Sequence, residues 1–137
     1  MFKGEPKYLG PASEDRSGNA YWSKGSVLWG YDLIARGGPC VVCEGILSAA
    51  TVVQAGLPAV ALFGKTLSKV QRSLLVEKKP GIIYVMLDGR TPEDNTVEKA
   101  HEVYDKLVNF VKKVEIVELP EGMDPNDLGE DVLELWR

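Results

Sequence analysis

The sequence predicts an α/β domain with a mainly parallel sheet of about four strands flanked by helices. Three observations carry this. From residue 39 onward, short apolar runs alternate with amphipathic stretches four times. The runs 40–43, 58–63 and 81–87 are almost continuously apolar, as strands covered on both faces are. Each run closes on a glycine or an acid before a helical pattern begins, which is the order of strand–loop–helix units.

The elements follow in order. Residues 1–38 are rich in Gly, Pro, Ser and aromatics (Tyr8, Tyr21, Trp22, Trp29, Tyr31) and carry no helical period. They read as an N-terminal appendage, with 21–22 and 27–29 as short strands of a hairpin. Gly37-Gly38-Pro39 punctuates the chain, and the domain proper is taken as 39–137. Cys40-Val41-Val42-Cys43 is the first strand, ended by Glu44-Gly45. Ser48 is placed as the cap of a helix through Gln54, closed by Gly56. The second strand, 58–63, ends at Gly64-Lys65, and Ser68 opens an amphipathic helix to about Lys78 with Val70, Leu74 and Leu75 inward. The third strand, 81–87, ends at Asp88-Gly89. Thr91 caps a long helix with Pro92 at its first position and acids at 93 and 94. Its apolar positions are Val97, Ala100, Val103, Tyr104, Leu107 and Phe110. The fourth strand is 114–119, then comes the loop 120–125, and a last helix near Asp127 carries Val132, Leu133 and Trp136.

Composition narrows the function classes. The 137 residues suffice for one hydrophobic core. A formal charge of −4 argues against a broadly basic nucleic-acid platform but not against a local basic patch. No apolar run of about 18 residues exists, and the opening Met-Phe-Lys-Gly-Glu-Pro lacks a signal peptide's apolar stretch. The expected setting is cytoplasmic, with no membrane. The two cysteines, Cys40 and Cys43, form C-V-V-C, but zinc needs about four ligands and the single histidine is His101. On a strand, residues three apart point to opposite faces, so both read as core residues rather than a redox or metal pair.

In open parallel sheets ligands bind outside the carboxyl ends of the strands. Those ends carry Glu44, Gly64-Lys65, Asp88 and Asp124. Taken singly, each acid is a commonplace cap or turn residue. Taken together, three carboxylates on one rim repel one another unless a cation neutralises them. Oxygen ligands without histidine or thiolate suit Mg²⁺ or Mn²⁺. Gly64-Lys65-Thr66 imitates the end of a phosphate-binding P-loop, but Ala59 stands where that motif needs glycine. No G-x-G-x-x-G and no serine-hydrolase elbow occur, and His101 lies mid-helix on a solvated face.

Several stretches resemble the Toprim domain of DnaG-type bacterial and phage DNA primases. Val41-Val42-Cys43-Glu44-Gly45 resembles the family's first motif, an apolar strand ending in E-G. The run 54–64, then Leu67-Ser68 and Gln71, is similar to the stretch that follows in these primases. Leu87-Asp88-Gly89 resembles the start of the D-x-D motif, and Leu119-Pro120-Glu121-Gly122-Met123-Asp124-Pro125-Asn126-Asp127 resembles L-P-x-G-x-D-P-D-D. Upstream, Lys7-Tyr8-Leu9-Gly10-Pro11 and the aromatic stretch to Leu33 resemble the end of a preceding primase subdomain. Three departures stand out: Arg90 replaces the second Asp of D-x-D, Ser48 an Asp after E-G, and Asn126 the second Asp of D-P-D.

The resemblance implies a Toprim (Rossmann-like) fold and a metal-dependent nucleotidyltransferase that makes RNA primers for DNA replication. Its partners would be a single-stranded DNA template, ribonucleotides, and a replicative helicase or other primase domains. Glu44 and Asp88 would be catalytic, and Glu44, Asp88 and Asp124 would hold Mg²⁺ or Mn²⁺, with Asp94 or Asp127 as substitutes. Lys65, Lys69, Arg72 and Arg90 would bind nucleic acid or phosphate, Arg90 alternatively pairing with Asp88 in the metal's place. A primase also needs a zinc module and a basic subdomain, so the chain reads as a fragment or a partner-dependent domain. The alternatives are a degenerate, non-catalytic Toprim scaffold that binds nucleic acid, supported by the lost carboxylates, and a Toprim nuclease using the same acids.

Overall fold

The structure, a computed structural model, describes residues 25, 27–88, 96–120, 122–123 and 125–129, with the backbone alone at 126. Four strands, β1 (Pro39–Cys43), β2 (Ala59–Ala61), β3 (Ile82–Met86) and β4 (Val114–Ile116), form one sheet in the order β2-β1-β3-β4. Every neighbouring pair is parallel, so the sheet is wholly parallel. The helices are α1 (Ile46–Ala55), α2 (Lys69–Glu77), α3 (Thr96–Leu107) and the single turn α4 (Pro125–Leu128). Among the described residues no helix is long and apolar enough to cross a membrane.

The two-residue period of the strands sorts the core into two layers. Cys40, Val42, Val60, Leu62, Ile83 and Val85 pack with Leu67, Leu75, Ala100, Val103 and Leu107, so α2 and α3 cover that face. Val41, Cys43, Ala59, Ala61 and Met86 pack with Ala49, Val52 and Leu128, so α1 and α4 cover the other. Cys40 and Cys43 therefore lie in different layers, each fully buried and free. No disulfide or shared metal can join them, as the strand period predicts.

Several expectations shift. Helix α1 starts at Ile46, with Gly45 rather than Ser48 as its cap. The early start follows from packing: Ile46 joins the second layer, Ala49 and Val52 line up beneath it, and Ser48 is buried in the first turn. Ser68 caps α2 as expected, in a reciprocal box with Gln71. The inward face of α2, however, carries Gln71 and Leu75, while Val70 is 49% exposed. Gln71 is tolerated in the core because its amide is satisfied. Nε2 donates to Val27 O and Leu62 O, each at 3.1 Å, and Oε1 accepts from Ser68 N at 3.0 Å. On α3, Ala100, Val103 and Leu107 are buried, whereas Val97 is half-exposed and Phe110 lies beyond the helix end. Strands β2 and β4 are shorter than their apolar runs. The Thr91–Pro92 cap, residues 21–22, and Val132, Leu133 and Trp136 lie outside the described residues.

The segment before β1 closes the sheet's outer edge. Trp29 forms a single antiparallel bridge to Ala61, whose N–H donates to Trp29 O at 3.1 Å, and Leu28 and Ile34 are buried in the first layer. An edge strand left open exposes unpaired backbone groups, and this strap removes that liability. Close approach demands glycine at position 30: its φ is +87°, and a Cβ there would collide with the carbonyl oxygen of Ala59.

Two predictions follow from this packing. Gly30→Ala should lower unfolding free energy by about 3 kcal/mol, because clash adds to left-handed strain. Gly37→Ala, with φ +82° but open space around it, should cost only about 1–2 kcal/mol. Denaturant titration of both variants checks the difference. For the cysteines, burial pushes the Cys40 thiol up to about 12 from an ordinary 9.0, and burial with the nearby Cys40 and Asp88 raises Cys43 as well. The folded state thus holds protons that the unfolded chain loses. Stability from these thiols should be intact below pH 9 and decline toward pH 12. Thiol reagents at pH 8 should label both cysteines only after unfolding, which mass spectrometry reads directly.

Candidate functional site

The strand order sets the site. The chain leaves β1 toward β2 on one side and leaves β3 toward β4 on the other. The connections diverge, and a crevice opens between the carboxyl ends of β1 and β3, the topological switch point of the sheet. Glu44 follows β1 directly, and Asp88 stands two residues beyond β3. The register pairs Cys43 with Met86, so the two acids arrive side by side. Glu44 Oε1 accepts a hydrogen bond from the Asp88 backbone N–H at 3.4 Å, at the long end of the range. Asp88 Oδ1 is buried, and the Asp88 charge reaches the Cys43 thiol below it.

The loop after β2 is tied into the same rim. Leu62 N–H donates to Cys43 O at 2.9 Å and Gly64 N–H to Glu44 O at 3.1 Å, which fixes the backbone on both sides of Phe63. Phe63 adopts φ +64°, a left-handed conformation that costs a non-glycine residue about 1–2 kcal/mol. Gln71, bonded to Leu62 O, holds the turn in place. The result aims Lys65 across to the start of α3, where Nζ donates to Thr96 Oγ1 at 2.6 Å. Thr96 and Asp88 line a small cavity of about 30 Å³ between α3 and the end of β4, with His101 and Glu118 at its polar side. That volume holds about one water molecule. A nucleotide would therefore lie over the open rim rather than within this cavity.

The structure thus brings Glu44, Asp88 and Lys65 to one edge. Lys69 is exposed on the first turn of α2, and Arg72 lies with its guanidinium 4.7 Å from the centroid of the Phe110 ring, which follows the end of α3. Arg90 and Asp124 lie outside the described residues, as does Asp94. Accordingly, no cluster of three metal-ligating side chains forms among the described residues. The described pair still suits a hard divalent cation. Both donors are carboxylates, one Asp88 oxygen is already buried at the rim, and burial keeps the Cys43 thiol protonated.

Sequence reasoning missed Thr96 as the partner of Lys65, whereas His101 is exposed on α3, as its reading as solvated expects. It also missed Gln71 as the hub that ties Val27, the β2 loop and α2 together. The Ser68-x-x-Gln71 spacing signals the capping box, but nothing local signals the carbonyls of Val27 and Leu62.

Primases are among the solved structures with the same architecture. The Aquifex aeolicus primase (zinc-binding and RNA polymerase domains) superposes with a TM-score of 0.71 at 23% identity, over 98% of this chain and 33% of its own. A DNA primase domain from Pseudomonas aeruginosa gives 0.70 at 25% identity, over 98% and 43%. The primase fragment of the bacteriophage T7 primase-helicase gives 0.62 at 23%, over 90% and 55%. The chain thus spans between a third and just over half of these three chains. No curated protein is similar enough to count as a relative. Residues 41–129, well over half the sequence and every element from β1 to α4, match the family model described as Toprim-like. The protein belongs to the Toprim-like family, and its domain has the architecture of DNA primase catalytic cores.

Proposed function

We propose that this domain is the metal-dependent nucleotidyltransferase core of a DNA primase, joining ribonucleotides into primers on single-stranded DNA. One observation carries the reading: Glu44 and Asp88 flank the switch point of a parallel sheet, their groups linked at 3.4 Å. The family membership supports it. So does a related T7 structure, in which primase domains are bound to an RNA/DNA hybrid and dTTP.

In this reading Glu44, Asp88 and Asp124 hold Mg²⁺ or Mn²⁺, which when bound neutralises charge on the triphosphate. Glu44 serves as a further ligand or accepts the proton of the primer's 3′-hydroxyl as that oxygen attacks the α-phosphorus and pyrophosphate leaves. Lys65, whose Nζ donates to Thr96 Oγ1, would bring its positive charge to phosphate at the rim. Lys69, Arg72 and Arg90 would contact nucleic-acid phosphates. Template reading and strand holding fall to neighbouring primase domains or a replicative helicase.

Arg90 favours a second reading. A cation where the family has a carboxylate lowers the charge that holds a divalent metal, which fits a non-catalytic nucleic-acid scaffold.

The test is primer synthesis by the chain joined to the zinc-binding and DNA-holding domains of a bacterial primase. Radiolabelled ribonucleotides, a single-stranded template and Mg²⁺ or Mn²⁺ complete the assay. We expect short RNA products, lost on chelation and reduced about 10²–10⁴-fold by Glu44→Gln or Asp88→Asn. Template binding without product would leave the scaffold. Metal-dependent DNA cleavage without nucleotides would mark a nuclease.

A further inference from the structure

The sheet has two edges, and they are treated differently. On β2, Trp29 bonds to Ala61 from outside. β4 forms the other edge. Its ladder to β3 uses the carbonyl of Lys113 and the N–H of Val117. Strand alternation then turns the N–H and C=O groups of Val114, Ile116 and Glu118 outward. Among the described residues none of these groups has a hydrogen-bond partner.

Helix α3 lays an apolar flank beside this edge. One side of α3 faces α2, where Thr96 meets Lys65 and Lys106 Nζ donates to Leu67 O at 2.9 Å. On the other side Val97, His101, Tyr104 and Val108 recur at three and four residues. Val97 is 37% exposed, Val108 is half-buried, and Tyr104 packs on the same core layer as Ile116 of β4. The cavity of about 30 Å³ opens between this flank and the end of β4. Leu87, Val97, Ala100, Ile116 and Leu119 give it apolar walls, a seat for a methyl-sized side-chain tip.

Charge frames the groove. By helical spacing Glu98 and Asp105 border the apolar flank on its solvent side, and Glu118 stands exposed at the strand's end. None of these three acids has an ion-pair partner among the described residues. Glu115, on the opposite face of β4, is already paired with Lys113 at 3.0 Å.

We propose that the outer edge of β4 is a peptide-docking site that takes an extended, basic segment of a partner protein as a fifth strand. Main-chain bonds to Val114, Ile116 and Glu118 supply affinity, and side chains at alternate positions supply specificity. An apolar anchor enters the cavity. Lysines or arginines two residues to either side lay their stems on Val97 and Tyr104 and bring their charges to Glu98 and Asp105. Charge selects this occupant: a second copy, at a net −4, meets the acids with like charge, whereas a basic segment complements them. The docking needs neither metal nor nucleotide, so it stands apart from the nucleotidyl-transfer reading.

The probe is a fluorescein-labelled peptide, Thr-Lys-Thr-Val-Thr-Lys-Thr, titrated with the full chain in EDTA at low salt and read by anisotropy. Saturable binding is expected, and glutamates in place of the probe's lysines should abolish it. Methylating the backbone nitrogens of Lys, Val and Lys, or instead those of the threonines, tests the edge itself. A fifth strand uses only alternate N–H groups, so one pattern should weaken binding about tenfold or more and the other should not. Glu98→Lys with Asp105→Lys should weaken binding about tenfold, while Asp32→Lys, an equal charge change on the segment beside β2, should leave it unchanged. Circular dichroism confirms that the variants are folded. Any of four results would overturn the site: no binding of the basic probe, equal binding of the glutamate probe, equal effects of the two methylation patterns, or an equal loss in Asp32→Lys. Sedimentation showing that the chain dimerises while the probe stays unbound would assign the edge to a second copy instead.

Discussion

A strand buried on both faces can present polar groups only at its ends. Val41, Val42 and Cys43 of β1 and Val85 and Met86 of β3 have no solvent exposure. An unpaired carboxylate within either strand would carry a desolvation cost of several kcal/mol. The acids therefore appear one and two residues beyond the strands, at Glu44 and Asp88. The order β2-β1-β3-β4 makes those two ends neighbours while their connections diverge. Burial and strand order together concentrate negative charge in one crevice, and the candidate chemistry of the domain grows out of that concentration.

The surroundings are built to keep the crevice rigid. The β2 loop holds Phe63 in a left-handed conformation against backbone bonds to Cys43 and Glu44. Gln71 joins that loop to residue 27, so the segment ahead of β1 is mechanically part of the rim's support. Trp29 seals the edge of β2, the strand whose loop carries Lys65. Local strain at Phe63 is sustained because several independent contacts over-determine it, which is the usual setting of strained residues near functional sites. Such a frame positions Lys65 on Thr96 before any ligand arrives, an arrangement that favours binding by lowering the ordering cost.

The legible part of this protein was written in local pattern. The continuous apolar runs marked β1, β2 and β3, and the residues just past them named Glu44, Lys65 and Asp88. The three-residue spacing of the cysteines placed them in separate layers. Ser68 announced the start of α2. What escaped was set by contacts distant in sequence. Val70 fits the inward period of α2 as well as Gln71 does, and only carbonyls from Val27 and Leu62 decide for the glutamine. Gly45 carries no side-chain capping signal, so α1 begins earlier than Ser48 suggests. Among the described residues the partner of Trp29 is Ala61, across the outer edge of the sheet. The Lys65–Thr96 bond joins residues 31 apart, beyond the reach of any local rule.

The central claim is that the Glu44–Asp88 rim holds a divalent cation despite Arg90. Calorimetric titration of Mn²⁺ into the chain and into Asp88→Ala tests it most directly. The account predicts saturable binding by the wild type, roughly micromolar to millimolar, and its loss in the variant. Equal binding by both proteins, or none by the wild type, would contradict it.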